Sequence, residues 1–329
     1  MSKPVRLTIK KLIIAIAVLG VILPTFASAQ GAPEPLEFRS QRHLQKWING
    51  YRENPEPDRV PGAVRAMYEF GLFENQEKAG TYIGFLAGAI GFNQIKAKTL
   101  VEQMFPMPPK EQAIIIKAIA YSGLPEWQDL MRDMAERMPA RKKMIYEYLS
   151  STRKTLLEVP LESDPIIIDV LWGYYIATGY FEPVVRIIHA LPWTRDTTNI
   201  EKITAGHMAK WTLAANAERD RGLLEIYRAE LAIKSHPKDL RKPLKQVIKA
   251  SENFEADQLR KEAVEIITVE KRKSPYQRSK WALANQVGST LLAIGCVTAG
   301  ALGHVEIAAP CVITGVVSSG AVKLLTMKN

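Results

Sequence analysis

Apolar residues recur at intervals of three and four between residues 35 and 273, and long alternating runs are absent. This spacing places apolar side chains on one face of an α-helix. The stretch LRKEAVEIITVEKR illustrates it, because Leu259, Ala263, Ile266 and Ile267 share one side and charged residues occupy the other. The short piece EIITVE could form a strand, but its charged helical flanks favour a helix. The pattern therefore predicts an all-α body.

Prolines and glycines mark the predicted ends of these helices. Proline fits the first turn, where its missing N–H would be unpaired anyway, and glycine accepts the left-handed backbone that ends many helices. Asp58 and Asp164 stand where N-caps belong. The predicted starts and ends are Pro61, Pro109, Pro125, Pro165, Pro183 and Pro237, and Gly71, Gly123 and Gly179.

The turns at the three glycines separate helices in a loosely recurring unit. Their spacing is irregular and too long for a tetratricopeptide array, whose period is about 34 residues. The sequence therefore predicts an irregular α-solenoid or stacked antiparallel helix pairs, followed by a Gly/Ala-rich C-terminal helical hairpin. Folds of this kind usually offer a groove to another chain.

A run of small residues interrupts the apolar stretch AGTYIGFLAGAIGF. Its glycines lack the spacing of a phosphate-binding loop. A period of four along an apolar helix instead lets two helix backbones pack closely. We expect this packing inside the helical domain, and not insertion into a membrane, for Gly80, Gly84, Gly88 and Gly91.

Residues 1–29 are typical of a bacterial export signal. A basic start precedes an uncharged run over residues 12–23, and Ala27-Ser28-Ala29 supplies the small-x-small cleavage pattern before Gln30. The apolar run is shorter than the ~20 residues of a membrane span, although an uncleaved membrane helix is the alternative. We therefore expect the mature chain in the periplasm or elsewhere in the cell envelope.

Removal of this signal also removes four basic residues, Lys3, Arg6, Lys10 and Lys11. The formal net charge of the chain then falls from +10 to about +6. A moderately basic exported protein meets anionic lipid or polysaccharide more readily than nucleic acid. We expect a protein or glycan partner in the envelope, with an anionic lipid surface as a further one, and no nucleic acid.

The division of the rest of the chain follows from its charge. We interpret residues 30–273 as the helical repeat-like domain, residues 274–281 as a basic linker and residues 282–329 as an apolar hairpin. Two uncharged segments flank the turn near Gly303, and the preferred interpretation is a membrane-associated hairpin. The segments are rich in small residues and weakly hydrophobic, so the alternative is a helix pair packed on the body.

Two features of this tail are candidate sites. Cys296 and Cys311 lie at equal distances from Gly303-His304, so a hairpin could bring them together as a disulfide, with two buried free thiols as the alternative. Basic and aromatic residues next to an apolar segment suit a lipid interface. These residues are Lys271, Arg272, Lys273, Arg278, Lys280 and Trp281.

Motifs for catalysis or metal binding are not evident. No histidine has a second histidine or a cysteine three or four residues away, and there is no H-E-x-x-H or G-x-S-x-G. His189 stands near a predicted helix end, where the helix dipole favours a cation. We therefore predict no catalytic residue, cofactor or metal, although a carboxylate pair formed over a long sequence distance would leave no local motif.

The pieces DVLWGYYIATGYFEPVVRIIHALP and AKWTLAANA, within residues 169–217, resemble uncharacterised bacterial envelope proteins of helical-repeat type. The resemblance implies stacked helices and no particular activity or site residue. With the export signal and the tail, it favours a non-enzymatic envelope scaffold or binding module tethered by its C-terminal hairpin. The alternatives are a soluble periplasmic hydrolase with a hidden carboxylate pair and a membrane-inserting pore-former.

Overall fold

The described part of the chain, in this computed structural model, covers residues 37–74, 79–150, 155–164 and 166–273, with only the backbone for 271–273. These residues form α-helices and no strand, which confirms the all-α prediction. Backbone contacts divide the chain after Pro35, and every described residue belongs to the unit that begins at Leu36. The helices are α1 Gln41–Gly50, α2 Val60–Glu69, α3 Gly80–Phe92, α4 Ala97–Gln103, α5 Gln112–Tyr121, α6 Trp127–Ala135, α7 Lys142–Ser150, α8 Ile166–Thr178, α9 Glu182–Ile188, α10 Ile200–Arg219, α11 Gly222–Ala232, α12 Lys238–Asn253 and α13 Ala256–Lys273.

The features predicted at the two ends of the chain lie outside the described residues. This applies to the cleavage site at Ala27, Ala29 and Gln30 and to the candidate disulfide of Cys296 with Cys311. It also applies to Arg278, Lys280 and Trp281 and to the side chains of Lys271, Arg272 and Lys273, whose backbone ends α13. No helix in the described ranges is long and apolar enough to cross a membrane.

Local sequence signals predicted the helix ends well. Gly71, Gly123 and Gly179 have φ of +70°, +73° and +72°, the left-handed backbone expected of glycine after a helix. Pro61 and Pro183 lie in the first two positions of α2 and α9, as predicted.

Other predicted helix starts are corrected by a few residues. Pro237 is the N-cap of α12, whereas Pro109 and Pro125 lie in the turns before α5 and α6. Proline fixes φ and lacks an N–H, and both properties suit a turn before a helix as well as the first turn of the helix. The sequence therefore does not distinguish these two positions.

The two predicted N-cap residues have different roles in the structure. Asp164 accepts a hydrogen bond at 3.1 Å from the N–H of Ile166, the first residue of α8. Asp58 instead lies in a short 3₁₀ helix, Pro57–Arg59, and its carboxylate binds Lys96 at 2.9 Å.

Helices α3 and α8 pack side by side at the centre of the first half of the fold. Their contacts advance in the same direction, from Gly80 against Ile166 to Gly88 against Ala177, so the two helices are parallel. A Cβ at Gly84 would collide with the carbonyl oxygen of Val170. The glycine run therefore packs one backbone against another inside the helical domain, as predicted, although its partner was not predicted.

Helix α10 has the corresponding position in the second half. It contacts α9, α11, α12 and α13 and the 3₁₀ helix Leu191–Arg195. Gly206 allows α10 to approach that 3₁₀ helix, because a Cβ there would lie 2.6 Å from the backbone nitrogen of Thr194. Consecutive helices also contact one another at α5 and α6, α8 and α9, and α11 and α12. Helices α3 and α10 thus fix where the turns and helix ends around them come together.

Candidate functional site

An open groove of about 630 Å³ lies where α3, α5 and α8 end. We call it the aromatic groove. Its lining combines aromatic, amide and small residues: Gly91, Phe92, Asn93, Gln94, Ile95, Lys96, Ser122, Gly123, Tyr174 and Tyr180. Ligand pockets of this volume, with an apolar lining and a few polar groups, commonly hold small molecules or single units of a polymer.

The close approach of helix ends builds the groove. Helix α3 stops at Asn93, whose side-chain Nδ2 donates to the carbonyl oxygen of Ala89 at 2.8 Å. Gly91 lets the end of α3 lie against Ser122, since a Cβ there would collide with the Ser122 carbonyl. The left-handed Gly123 then turns the chain away from α5. Glycines at both helix ends therefore hold the floor of the groove in place.

Large apolar side chains stand exposed at its rim. The rings of Phe92 and Tyr180 meet edge to face with centroids 5.7 Å apart, and the two residues are 54% and 51% exposed. Ile95 is 102% exposed. Exposed aromatic residues grouped beside a groove are more informative than scattered ones, because they offer a ready contact surface to a partner.

The electrostatics of the aromatic groove favour a neutral ligand that donates hydrogen bonds. Its Lys96 already pairs with Asp58 at 2.9 Å. Burial, with smaller effects from Tyr180 and Glu182, raises the pKa of Tyr174, so this phenol stays neutral. Three helices present their carboxyl ends here, and each such end carries a partial negative charge. Hydroxyl or amide N–H groups are therefore suited to this position.

A second cluster joins two histidines and a glutamate. His189 follows α9, Glu230 lies in the last turn of α11, and His236 lies in the loop before α12. One nitrogen or oxygen atom from each lies within 4.8 Å of those of the other two. Nε2 of His236 and Oε2 of Glu230 are 2.8 Å apart, and the two imidazole rings meet at 77° with centroids 5.5 Å apart.

His189 also borders a second groove, of about 420 Å³, along the outer face of α9. The groove is lined by Leu157, Phe181, Glu182, Val185, Arg186 and His189. The guanidinium of Arg186 donates to the carbonyl oxygens of Leu156 and Val159, so it fixes a neighbouring segment. Glu182 is the single carboxylate in the lining of this groove, and the aromatic groove has none.

Two buried titratable groups lie away from both grooves. Asp169, in the first turn of α8, is 6% exposed, and burial followed by the nearby Asp164 raises its pKa to about 8. Burial, followed by the charge of Lys210, lowers the pKa of His207 on α10 to about 4. Neither residue borders a groove, so both shifts reflect packing between helices.

The sequence predicted the position of His189 but not its neighbours. His189 is the C-cap residue of α9, as its predicted place near a helix end required. Glu230 and His236 lie far along the chain, and only the packing of α11 and α12 brings them to His189. A search for ligands three or four residues apart misses such a cluster. Apolar residues at helix ends, at 92, 95 and 180–181, were a sequence signal for the aromatic groove.

Comparison of the chain with protein-family models, with curated proteins and with solved structures found no match. The resemblance of residues 169–217 to envelope proteins of helical-repeat type therefore stays a prediction. The two grooves and the histidine cluster are the features of the described residues that bear on function.

Proposed function

We propose that the chain is an exported, non-enzymatic protein of the cell envelope that binds a glycan strand in the aromatic groove. The observation that carries this proposal is the exposed edge-to-face pair of Phe92 and Tyr180 beside the amide side chains of Asn93 and Gln94. Aromatic faces and amides together match a sugar, which has an apolar C–H face and a hydroxyl edge.

The charge of the groove supports the same partner. The lining holds one cation, Lys96, which is paired with Asp58, and it holds no carboxylate. The carboxyl ends of α3, α5 and α8 favour ligands that donate hydrogen bonds, which sugar hydroxyls do. The export signal predicted from residues 1–29 delivers the protein to a compartment rich in polysaccharide, and the hairpin predicted at residues 282–329 tethers it there.

One feature favours a protein partner as the second candidate. Ile95 is fully exposed beside Phe92, and a projecting aliphatic side chain suits a packed protein interface better than a sugar hydroxyl edge. The hydrolase and pore-former alternatives have no comparable support in the two grooves, whose linings contain no carboxylate pair.

Retention on purified, insoluble peptidoglycan tests the proposal. We expect the mature chain to pellet with this glycan and Tyr180→Ala to bind about 10-fold more weakly, as loss of one central aromatic contact commonly does. Tyr146→Ala is the matched control, because Tyr146 on α7 is 64% exposed and lies outside the groove. Soluble oligosaccharides from the same glycan should release the wild-type protein.

Two results contradict the proposal. One is a wild-type chain that stays in the supernatant at every glycan concentration. The other is equal retention of the Tyr180→Ala and Tyr146→Ala variants, which would assign retention to general surface charge. If Ile95→Ala abolishes capture of a defined envelope protein while glycan binding is absent, the second candidate replaces the first.

A further inference from the structure

We propose that His189, Glu230 and His236 form a binding site for a divalent transition metal of the zinc type. Two neutral imidazoles and one carboxylate are a donor set that Zn²⁺ takes in proteins, with bonds of about 2.0–2.2 Å. The proposal uses none of the residues that line the aromatic groove, so it stands or fails independently of glycan binding.

The positions of the donor atoms suit this role. Donors bound to one ion at these bond lengths lie about 3–3.5 Å from one another. Nε2 of His236 and Oε2 of Glu230 are 2.8 Å apart, close to this separation, and all three donor atoms lie within 4.8 Å. A small rotation of one side chain is therefore enough to complete the set.

The surroundings divide the three ligands into a largely buried pair and an exposed third. The side chains of Glu230 and His236 are each 15% exposed, so packing and their mutual contact hold them in place. His189 is exposed at the end of α9. Two of the three ligands are therefore already paired, and His189 supplies the third from the surface.

The neighbouring cation on α9 does not occupy the site. Arg186 lies one turn before His189, and its guanidinium is held by the backbone carbonyls of Leu156 and Val159. A simple ion pair between Glu230 and His236 explains their own contact, but it does not explain why a third ligating group converges on them from another helix.

The site supplies three protein ligands, of which His189 is exposed at the surface. Water or a ligand from the groove along α9 would complete the coordination of the ion, as in zinc sites that keep one exchangeable position. Binding would also tie the loop before α12 to the end of α9.

Zinc titration of the full-length chain tests this inference. The protein should carry no histidine tag, and Cys296→Ala and Cys311→Ala should be present throughout, because thiolates are strong zinc ligands. We expect one equivalent of Zn²⁺ to bind by calorimetry or by competition with a chromophoric chelator. His189→Ala and Glu230→Gln should each weaken binding at least about 10-fold.

His43→Ala is the matched control, since His43 is also an exposed histidine but belongs to α1. It should leave zinc affinity unchanged. Co²⁺ provides a second measurement, because loss of the His189 nitrogen should change the visible absorption of the bound ion. The exposed position of His189 means that the variant should fold, which its thermal unfolding without metal confirms.

The inference is overturned if the parent chain shows no stoichiometric zinc binding. It is also overturned if His189→Ala and Glu230→Gln bind zinc as tightly as His43→Ala does. Loss of binding on Glu230→Gln with full retention on His189→Ala likewise contradicts a three-ligand site.

Discussion

At the scale of single residues, the carboxyl group of Asp169 is in an unfavourable environment for a charge. It lies between α3 and α8, and its Oδ1 has no hydrogen-bond partner within the described part of the chain. Burial, with a further contribution from Asp164, raises its pKa from 3.8 to about 8. Between about pH 4 and pH 8 the folded state therefore holds a proton that the unfolded state has already released, so the stability contributed by this group falls as pH rises through this range.

We predict that Asp169→Asn removes this decrease in stability with rising pH. One unit of pKa shift corresponds to about 1.4 kcal/mol, so the free energy of unfolding of the variant should exceed that of the wild type at pH 8 by up to a few kcal/mol. At pH 4 the two proteins should be similar, because the wild-type carboxyl group is then substantially protonated in the unfolded state as well as in the folded state. Urea denaturation at both pH values measures the difference.

Asp58→Asn serves as the control, since the side chain of Asp58 is 78% exposed. Its effect on the free energy of unfolding should be small, as for most exposed surface substitutions. A difference between Asp169→Asn and wild type that does not change with pH would contradict the assigned protonation.

Gly84 tests the close packing of α3 on α8. Gly84→Ala places a Cβ against the carbonyl oxygen of Val170, a backbone atom that cannot rotate away. We expect a loss of about 1–3 kcal/mol in the free energy of unfolding, even though alanine favours the helix. Gly50→Ala, in the last turn of α1 with no atom within 4 Å of the new Cβ, should cost nothing or stabilise. Equal denaturation midpoints for the two variants would refute the packing argument.

At the scale of helices, the sequence predicted local features and missed distant pairings. Gly71 and Pro183 mark helix ends because their backbone preferences act within a few residues. The glycine run predicted that another helix packs closely on α3, but its four-residue period would be the same for any partner helix. The α8 partner, and the meeting of His189 with Glu230 and His236, depend on tertiary packing that no local pattern contains.

The contact of α10 with α13 shows the same limit. Exposed Glu262 looks like part of a solvated charged face in the sequence, yet its carboxylate binds Nζ of Lys210 at 3.1 Å. The Lys210 side chain is 7% exposed, and the neighbouring Arg260 is buried over the ring of Trp211. Glu262 therefore compensates a buried charge that belongs to another helix.

We predict that Glu262→Gln lowers the free energy of unfolding by about 1–3 kcal/mol, because it leaves the Lys210 ammonium buried without its counter-charge. The estimate is below that for a fully buried pair, since Glu262 is 47% exposed. Chemical denaturation measures the loss. Replacing both residues, as Lys210→Met with Glu262→Gln, should recover part of it.

Glu265→Gln is the matched control on the same helix, because Glu265 is exposed and has the same side chain. We expect a change within about 0.5 kcal/mol, as for most surface substitutions. If Glu262→Gln is equally neutral, or if the double variant is no more stable than the single one, α13 is not held to α10 through this pair.

At the scale of the whole molecule, the helical body places two different candidate sites near the ends of its helices. Closely packed central helices, α3 and α10, fix the positions of those ends. Cap residues, turns and an interhelical loop then supply the exposed side chains, as loops on a rigid scaffold commonly do. This arrangement suits a binding protein. The partners that such a protein meets depend on its location, which the predicted export signal and the predicted C-terminal hairpin would set.

Fractionation of cells that express the full-length chain tests that placement. We predict cleavage before Gln30, read by N-terminal sequencing, and retention of the mature protein in the membrane pellet after an alkaline carbonate wash. A variant that stops at Ser279 keeps Lys271, Arg272, Lys273 and Arg278 but lacks the apolar hairpin, so it should appear in the fraction released by osmotic shock.

Blocking cleavage with Ala27→Leu and Ala29→Leu should return the truncated chain to the pellet, which separates anchoring by the signal from anchoring by the tail. A full-length mature protein released by osmotic shock would instead assign the tail to packing on the helical body. A change in its gel mobility on reduction would then locate the Cys296–Cys311 bridge.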